Sequence, residues 1–417
     1  MSIKEIQTGA IIIGAGPAGC GTSFQLSKKK IAHVVIEKAT FPRDKICGDA
    51  CGSKGAEVVR RANPQWYDEL IAHPSLLPIM GLSFYAPNGN GVHFSFGDHQ
   101  IKNKAVPMFT MPRLELDNFL FSKLPSDYCT ILQGATVEKV EKNGNTYSVT
   151  VRHNGTTYLY TSPALIGADG EKSIVARKFL PRPEGVKANA VGLRAYYSGI
   201  TGYEQPNYIE LHFLPELVPG YLWIFPLPDG RANVGVGMMS SIVRKERINL
   251  KEKMIYAINH NPKLRERFKN AVMEDKIHGW GLSLAMQQQL MSGDGLMLTG
   301  DAAALIDPST GEGIGNALYS GMMAGDAVEK CYSQNNFTAG FIKQVYDNDF
   351  YQRFGTELKL SAIQHKMSYY PKFINWVVNK TMKSPSLKET LNRMLWDEEA
   401  RKQLSKPSFY LKILLNK

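Results

Sequence analysis

At 417 residues the chain exceeds one minimal core, and its 43% hydrophobic and 21% charged content excludes a disordered or fibrous protein. The formal charge of +11 is spread along the sequence with a moderate excess after residue 340; no dense arginine-rich block or nucleic-acid module accompanies it, so it reads as a solvated basic surface. Five sparse cysteines exclude a secreted disulfide framework. The N-terminus has no apolar signal region, and no apolar run approaches the ~18–20 residues that cross a bilayer. A cytoplasmic protein is expected, with peripheral membrane contact left open.

Residues 8–13 form an apolar run that Gly14-Ala15-Gly16-Pro17-Ala18-Gly19 breaks. A helix-compatible segment follows at 20–27, and 33–37 reads as a second buried strand. Strand, glycine turn, helix and strand within about 30 residues make a βαβ unit. In such a unit Gly14 permits the tight turn, Gly16 lets the backbone approach a pyrophosphate, and Gly19 allows close helix–strand packing. The helix start at Ala18 offers free N–H groups to the phosphates, and Glu37 stands where it can accept a hydrogen bond from a ribose hydroxyl. The motif marks a dinucleotide site without separating FAD from NAD.

Further along, residues 81–96 alternate around Pro87-Asn88-Gly89-Asn90-Gly91 as a hairpin, and 135–160 alternate around Asn143-Gly144 and Asn154-Gly155. Several strands are expected over 190–240. Helical patterning occupies 245–272 and returns from Gly315 to the end, interrupted at Pro371, Pro385 and Pro407. The expected architecture is α/β: a Rossmann-like domain assembled from 1–80, 105–188 and 275–340, a β-sheet substrate domain from 81–104 and 189–274, and a helical C-terminal region over 341–417.

Two later segments complete the first motif. Leu298-Thr299-Gly300-Asp301-Ala302-Ala303 brings a carboxylate to a helix start, and Asp307-Pro308-x-x-Gly311-Glu312-Gly313-Ile314 leaves backbone N–H groups free. With Ala168-Asp169-Gly170, and with Arg113 in Met111-Pro112-Arg113-Leu114-Glu115-Leu116-Asp117, these resemble the signature of flavoproteins built like p-hydroxybenzoate hydroxylase. That resemblance implies non-covalent FAD held by Gly14, Gly16, Ala18, Gly19, Glu37, Lys38, Arg43, Cys47, Gly48, Arg113, Asp169, Gly170, Gly300, Asp301, Pro308, Gly311, Gly313 and Ile314.

Pro42-Arg43-Asp44-Lys45-Ile46-Cys47-Gly48 and Pro219-Gly220-Tyr221-Leu222-Trp223-Ile224-Phe225-Pro226, continuing to Asn233-Val234-Gly235-Val236-Gly237, resemble the geranylgeranyl reductase family more narrowly. Over residues 8–330 this implies reduction of carbon–carbon double bonds in an isoprenoid or similar hydrophobic lipid, with Cys47 beside the flavin. NAD(P)H or a ferredoxin is the implied electron donor. Tyr221, Trp223 and Phe225 alternate on one strand face and are candidates for the wall of an apolar tunnel, or else for ordinary sheet core. Tyr221 is also the candidate proton donor. Cys47 and Cys51, with three residues between them, leave open a functional Cys47, a redox pair or two buried thiols. No cysteine or histidine pair with ligand spacing suggests a metal. The alternative is an aromatic monooxygenase or halogenase-like enzyme; a halogenase would carry Trp-x-Trp-x-Ile-Pro where this chain has Tyr221-Leu222-Trp223-Ile224-Phe225-Pro226, and Lys45, which could be confused with the lysine of such enzymes, sits in the Cys47–Gly48 loop. Oligomeric state is not legible, and the C-terminal helices carry no recognisable motif.

Overall fold

The computed structural model describes residues 3–96, 106–124, 126–181 and 189–396. The parts of the expected domains at 97–104 and 182–188, and the C-terminal stretch 397–417 with Pro407, lie outside these residues.

Four short apolar runs, Ala10–Ile13, His33–Ile36, Leu165–Gly167 and Leu296–Leu298, are buried along their whole length. Continuous burial is what a parallel sheet covered on both faces requires. They form its centre, in the spatial order Ser292–Gly293, Leu296–Leu298, Leu165–Gly167, Ala10–Ile13, His33–Ile36, Cys129–Leu132. All neighbours run parallel except the short edge strand Ser292–Gly293. The first βαβ unit therefore lies beside strands contributed by residues more than 90 positions later.

The helix Pro17–Lys28 packs on the long helix Ile314–Ser333, and small residues set how closely. A Cβ on Gly21 would lie 2.5 Å from the Leu318 carbonyl oxygen, and one on Gly321 would lie 2.0 Å from that of Ala18. The two backbones touch.

The second large sheet is mainly antiparallel and contains Asn189–Ser198, Arg231–Met239, Tyr221–Pro226 and Tyr208–His212, extended by the hairpin Gly81–Tyr85 and Gly91–Ser95. Its register explains the glycines of the Asn233-to-Gly237 segment. Tyr221 pairs with Gly237, Trp223 with Gly235 and Phe225 with Asn233. A Cβ on Gly235 would lie 2.2 Å from the Trp223 ring, so this glycine makes the space for the indole. A smaller sheet joins Ile3–Gln7 to the meander Thr136–Asn143, Thr146–His153 and Thr156–Ser162.

After Met367, Pro371 and Pro385 open the helices Pro371–Lys383 and Pro385–Trp396 at their first turns, where a missing N–H costs nothing. Val378 and Leu391 pack against Val92 and Phe94, so the C-terminal helices lie across the open end of the second sheet. Among the described residues no helix is long and apolar enough to cross a membrane.

Candidate active site

The glycine loop has the shape a pyrophosphate needs. Gly14 has φ +102°, and a Cβ there would lie 2.4 Å from the Ala168 carbonyl oxygen; one on Gly19 would lie 1.9 Å from the Gly14 oxygen. At Gly16 the closest neighbour to an added Cβ is Arg43 Nη2 at 3.6 Å, so that face is open. The helix Pro17–Lys28 has no side-chain cap, leaving first-turn N–H groups for an anion. Ile314–Ser333, begun by Gly313, has no cap from that glycine, but its Gly315 N–H donates to Glu312 Oε1 at 2.7 Å.

Glu37 is buried and accepts from the Ala15 N–H (2.8 Å) and the Ala39 N–H (2.9 Å), one on each carboxylate oxygen. Each oxygen keeps acceptor capacity for a ribose hydroxyl. Lys38 beside it is exposed, and Ala18 is buried within the first helix. Asp301 meets Lys45 at 2.8 Å, across from the glycine loop's helix start. Gly300 has φ +57°, and a Cβ there would contact Ala18 and Ala317 at about 3 Å.

Asp169 precedes the helix Ile174–Phe179, which Ser173 caps: Asp169 Oδ2 accepts from the Ile174 N–H at 2.7 Å, while its Oδ1 is buried without a partner among the described residues. Gly170 has φ +78°. The orphan oxygen, the uncapped start of the helix Pro17–Lys28 and the glycine cradle fit a hydroxyl-rich dinucleotide such as FAD.

Arg113 forms a buried bidentate pair with Asp117, 2.8 Å on each arm, and Arg43 reaches the same carboxylate at 2.6 Å. Burial alone would raise the Asp117 carboxyl, yet the two guanidiniums hold it below its ordinary range. Arg113 also interacts with Cys47, so this cluster supports the Cys47–Gly48 loop from below.

From above, that loop is fixed by residues the sequence reading missed. Asp49 is fully buried at φ +66°. Its carboxylate accepts from Tyr196 Oη (2.8 Å), Asn233 Nδ2 (2.8 Å) and the Arg113 N–H (3.1 Å). Asn233 Nδ2 also donates to the Cys47 carbonyl at 2.7 Å, and Asn233 Oδ1 accepts from Trp223 Nε1 at 2.9 Å. Burial pushes the Asp49 carboxyl up to about 6 against the lowering pull of these donors and of Arg194. A single chain of hydrogen bonds thus joins the loop of the parallel-sheet unit to three strands of the second sheet. The only sequence signal was an Asp after a Gly in a loop rich in turn residues.

Trp223 and Phe225 face this loop: a Cβ on Gly48 would lie 3.0 Å from Phe225 and 3.6 Å from Trp223. Of the three aromatics, Tyr221 lines the large cavity, and the other two lie among the buried apolar residues beside the loop. The indole N–H must find a partner when buried, and its partner Asn233 holds it there. Tyr221 Oη donates to the Thr310 carbonyl at 3.1 Å, which ties the aromatic strand to the Asp307–Gly313 loop. Burial moves the Tyr221 phenol upward, making it a weaker acid than free tyrosine and a poor source of protons. Cys47 is half-buried, Cys51 is buried with its thiol pushed up by burial, and both are free.

The cavity has a volume of about 800 Å³. Phe84 and Phe94 line one side, Tyr221 and Pro308–Gly311 line the cofactor side, and Trp376, Val377 and Leu391 come from the C-terminal helices. Those helices, motif-free in the sequence, build much of the wall.

Residues 7–327 match the family model of the FAD binding domain. Among curated proteins, the digeranylgeranylglycerophospholipid reductase of Methanococcus vannielii is 27% identical, covering 88% of this chain and 89% of its own. The menaquinone reductase of Mycolicibacterium smegmatis is 29% identical over 76% of this chain and 75% of its own. In structure, a geranylgeranyl bacteriochlorophyll reductase-like protein of Thermoplasma acidophilum superposes with a TM-score of 0.79 at 21% identity, covering 96% of this chain and 99% of that one. The flavin-dependent brominase Bmp2 gives 0.74 at 20% identity, covering 98% and 100%, so the fold is common to reductases and halogenating enzymes. With its glycine cradle, its orphan carboxylate oxygen and a family match over three quarters of its length, the chain belongs to the FAD-binding domain family and is an FAD-dependent oxidoreductase.

Proposed function

We propose that the protein reduces carbon–carbon double bonds of an isoprenoid or similar lipid. The observation that carries this reading is the cavity of about 800 Å³, walled mostly by apolar side chains and bordered on one side by the Pro308–Gly311 loop. Its volume lies in the range that encloses a drug-sized ligand, and each methylene buried there contributes roughly 0.8 kcal/mol. The names of the relatives support the same class, since they act on a geranylgeranyl phospholipid and on menaquinone.

Bound FAD, once reduced, supplies the hydride for the alkene. The chain's part is to hold and to exclude. Residues 1–80, 105–188 and 275–340 would carry the cofactor. Residues 81–104 and 189–274 would form one wall of the lipid site, and 341–417 the other. Trp223, Phe225 and Tyr221 keep water from the reacting face, and Asp49 with Asn233 fixes the Cys47–Gly48 loop against it. Lys45, in the Cys47–Gly48 loop, is engaged by Asp301 at 2.8 Å.

The mouth of the site suits lipid drawn from a bilayer surface. Between residues 358 and 388 there are six lysines and no acidic residue, and Tyr369, Tyr370, Trp376 and Met382 are exposed. Anaerobic mixing of the reduced holoprotein with a geranylgeranyl lipid tests the reading. Flavin reoxidation without oxygen, with two hydrogens gained per double bond, is expected. A flavin that stays reduced until oxygen enters would overturn it.

A further inference from the structure

The cavity has a polar corner where the Asp307–Gly313 loop meets the helix Asp349–Met367. Its charged lining side chains are two carboxylates, Asp307 and Glu357; among the described residues no lysine or arginine lines the cavity. Glu357 is paired with Lys54 at 3.0 Å, and the same ammonium also donates to Asn316 at 3.2 Å. The loop's own N–H groups are occupied as well. Asp307 Oδ1 accepts from the Ser309 N–H (3.0 Å), the Thr310 N–H (2.9 Å), Thr310 Oγ1 (2.9 Å) and Ser361 Oγ (2.6 Å). A turn that would otherwise present donors to an anion presents them to its own aspartate instead. A phosphate placed here would meet carboxylates, and the cation at this corner, Lys54, is already paired with Glu357 and does not line the cavity.

His365 lines the same corner. Its ring lies beside the Pro308 carbonyl, and Nε2 is buried with no partner among the described residues. A carbonyl accepts only from an N–H, so Pro308 favours the tautomer with the proton on Nδ1, which leaves Nε2 as the acceptor. Burial lowers the imidazole, against the raising effect of the Pro308 carbonyl and of Asp307. A buried acceptor without a donor is unfavourable, and an incoming O–H would relieve it.

We propose that the cavity takes an uncharged isoprenoid lipid carrying a hydroxyl at its polar end, received by His365 Nε2, and discriminates against the phosphorylated form of the same lipid. This rests on the reductase reading and narrows it: of the head groups in the relatives' names, the phosphate of a phospholipid is the one this corner would reject.

The test uses the oxidised holoprotein with geranylgeraniol, geranylgeranyl monophosphate and geranylgeranyl methyl ether in one neutral detergent. Equilibrium binding is followed by protein fluorescence, and the reduced protein is then mixed anaerobically with each lipid. The alcohol is expected to bind at least tenfold more tightly than the phosphate and several-fold more tightly than the ether. His365→Leu should erase the alcohol's advantage over the ether, and His365→Gln, which keeps an acceptor, should restore most of it. Equal or tighter binding of the phosphate, with flavin reoxidation, would overturn the head-group assignment while leaving the reductase reading intact. If none of the three binds or reoxidises the flavin, the reductase reading fails and this inference with it. The wild-type comparison of alcohol, ether and phosphate needs no variant, so a misfolded His365→Leu would not blunt it.

Discussion

Replacing Asp49 by Asn separates the charge of this buried group from its hydrogen bonds. The carboxylate has three donors aimed at it, from Tyr196, Asn233 and the Arg113 backbone, with Arg194 as the nearby cation. An amide of the same shape offers one oxygen and must turn its NH₂ toward one of those donors, losing at least one bond at a cost of about 1–3 kcal/mol. The charge acts in the opposite sense. Burial raises the carboxyl from its ordinary 3.8 to about 6, and that difference corresponds to about 3 kcal/mol between the two protonation states.

The sign follows from proton binding. Between about pH 4 and 6 the folded protein holds the Asp49 proton and the unfolded chain has released it, so this residue's contribution to stability falls as pH rises through that window. About half of the loss is complete by pH 5, and the rest follows as the folded carboxyl ionises. The amide of Asp49→Asn cannot titrate and mimics the protonated acid. Its lost hydrogen bond lowers stability equally at every pH, whereas the wild type alone loses the remaining share of its proton-linked stability. Between pH 5 and 7.5 the variant should therefore gain about 1.4 kcal/mol on the wild type. Urea unfolding of both proteins at the two pH values, in a fixed excess of FAD, measures this; comparing the pair cancels the titration of Glu312, Asp169 and the other perturbed carboxyls. Urea midpoints that move in parallel between pH 5 and 7.5 would refute a charged, desolvated Asp49.

Gly19→Ala would place a methyl 1.9 Å from the Gly14 carbonyl oxygen, and the 1–3 kcal/mol typical of overpacking predicts FAD binding about 5- to 150-fold weaker, read as the flavin-to-protein absorbance ratio after dialysis. Arg113→Leu leaves the buried Asp117 with Arg43 alone and should cost about 3 kcal/mol by thermal denaturation; removing Asp117 as well should recover part of that loss. Tyr221→Phe loses one hydrogen bond to the Thr310 carbonyl, so stability should fall by about 0.5–1.5 kcal/mol and single-turnover flavin reoxidation by less than about tenfold. A thousandfold fall would make Tyr221 the proton donor after all.

What the sequence made legible were features whose cause is local. Gly14, Gly16 and Gly19 are dictated by a turn and a helix start within six residues, and the buried strands beside them announce themselves as unbroken apolar runs. Gly21 and Gly321 are just as necessary, since each lets one helix touch the backbone of the other, but their reason lies some 300 residues away and no local pattern marks it. Asp49 has the same character: its three donors come from Arg113, Tyr196 and Asn233, which no spacing rule connects. The alternating Tyr221, Trp223 and Phe225 were rightly placed on one strand face, but alternation cannot say what the face meets. The Asn233 bond turned Trp223 toward the cofactor loop, and the wall opposite Tyr221 came from helices whose apolar residues look like any amphipathic surface. A cofactor site built on one loop repeats its requirements in every chain that uses it. A lipid site built from side chains of three distant segments need only be apolar and the right size, and its polar corner is where this chain's own specificity is to be sought.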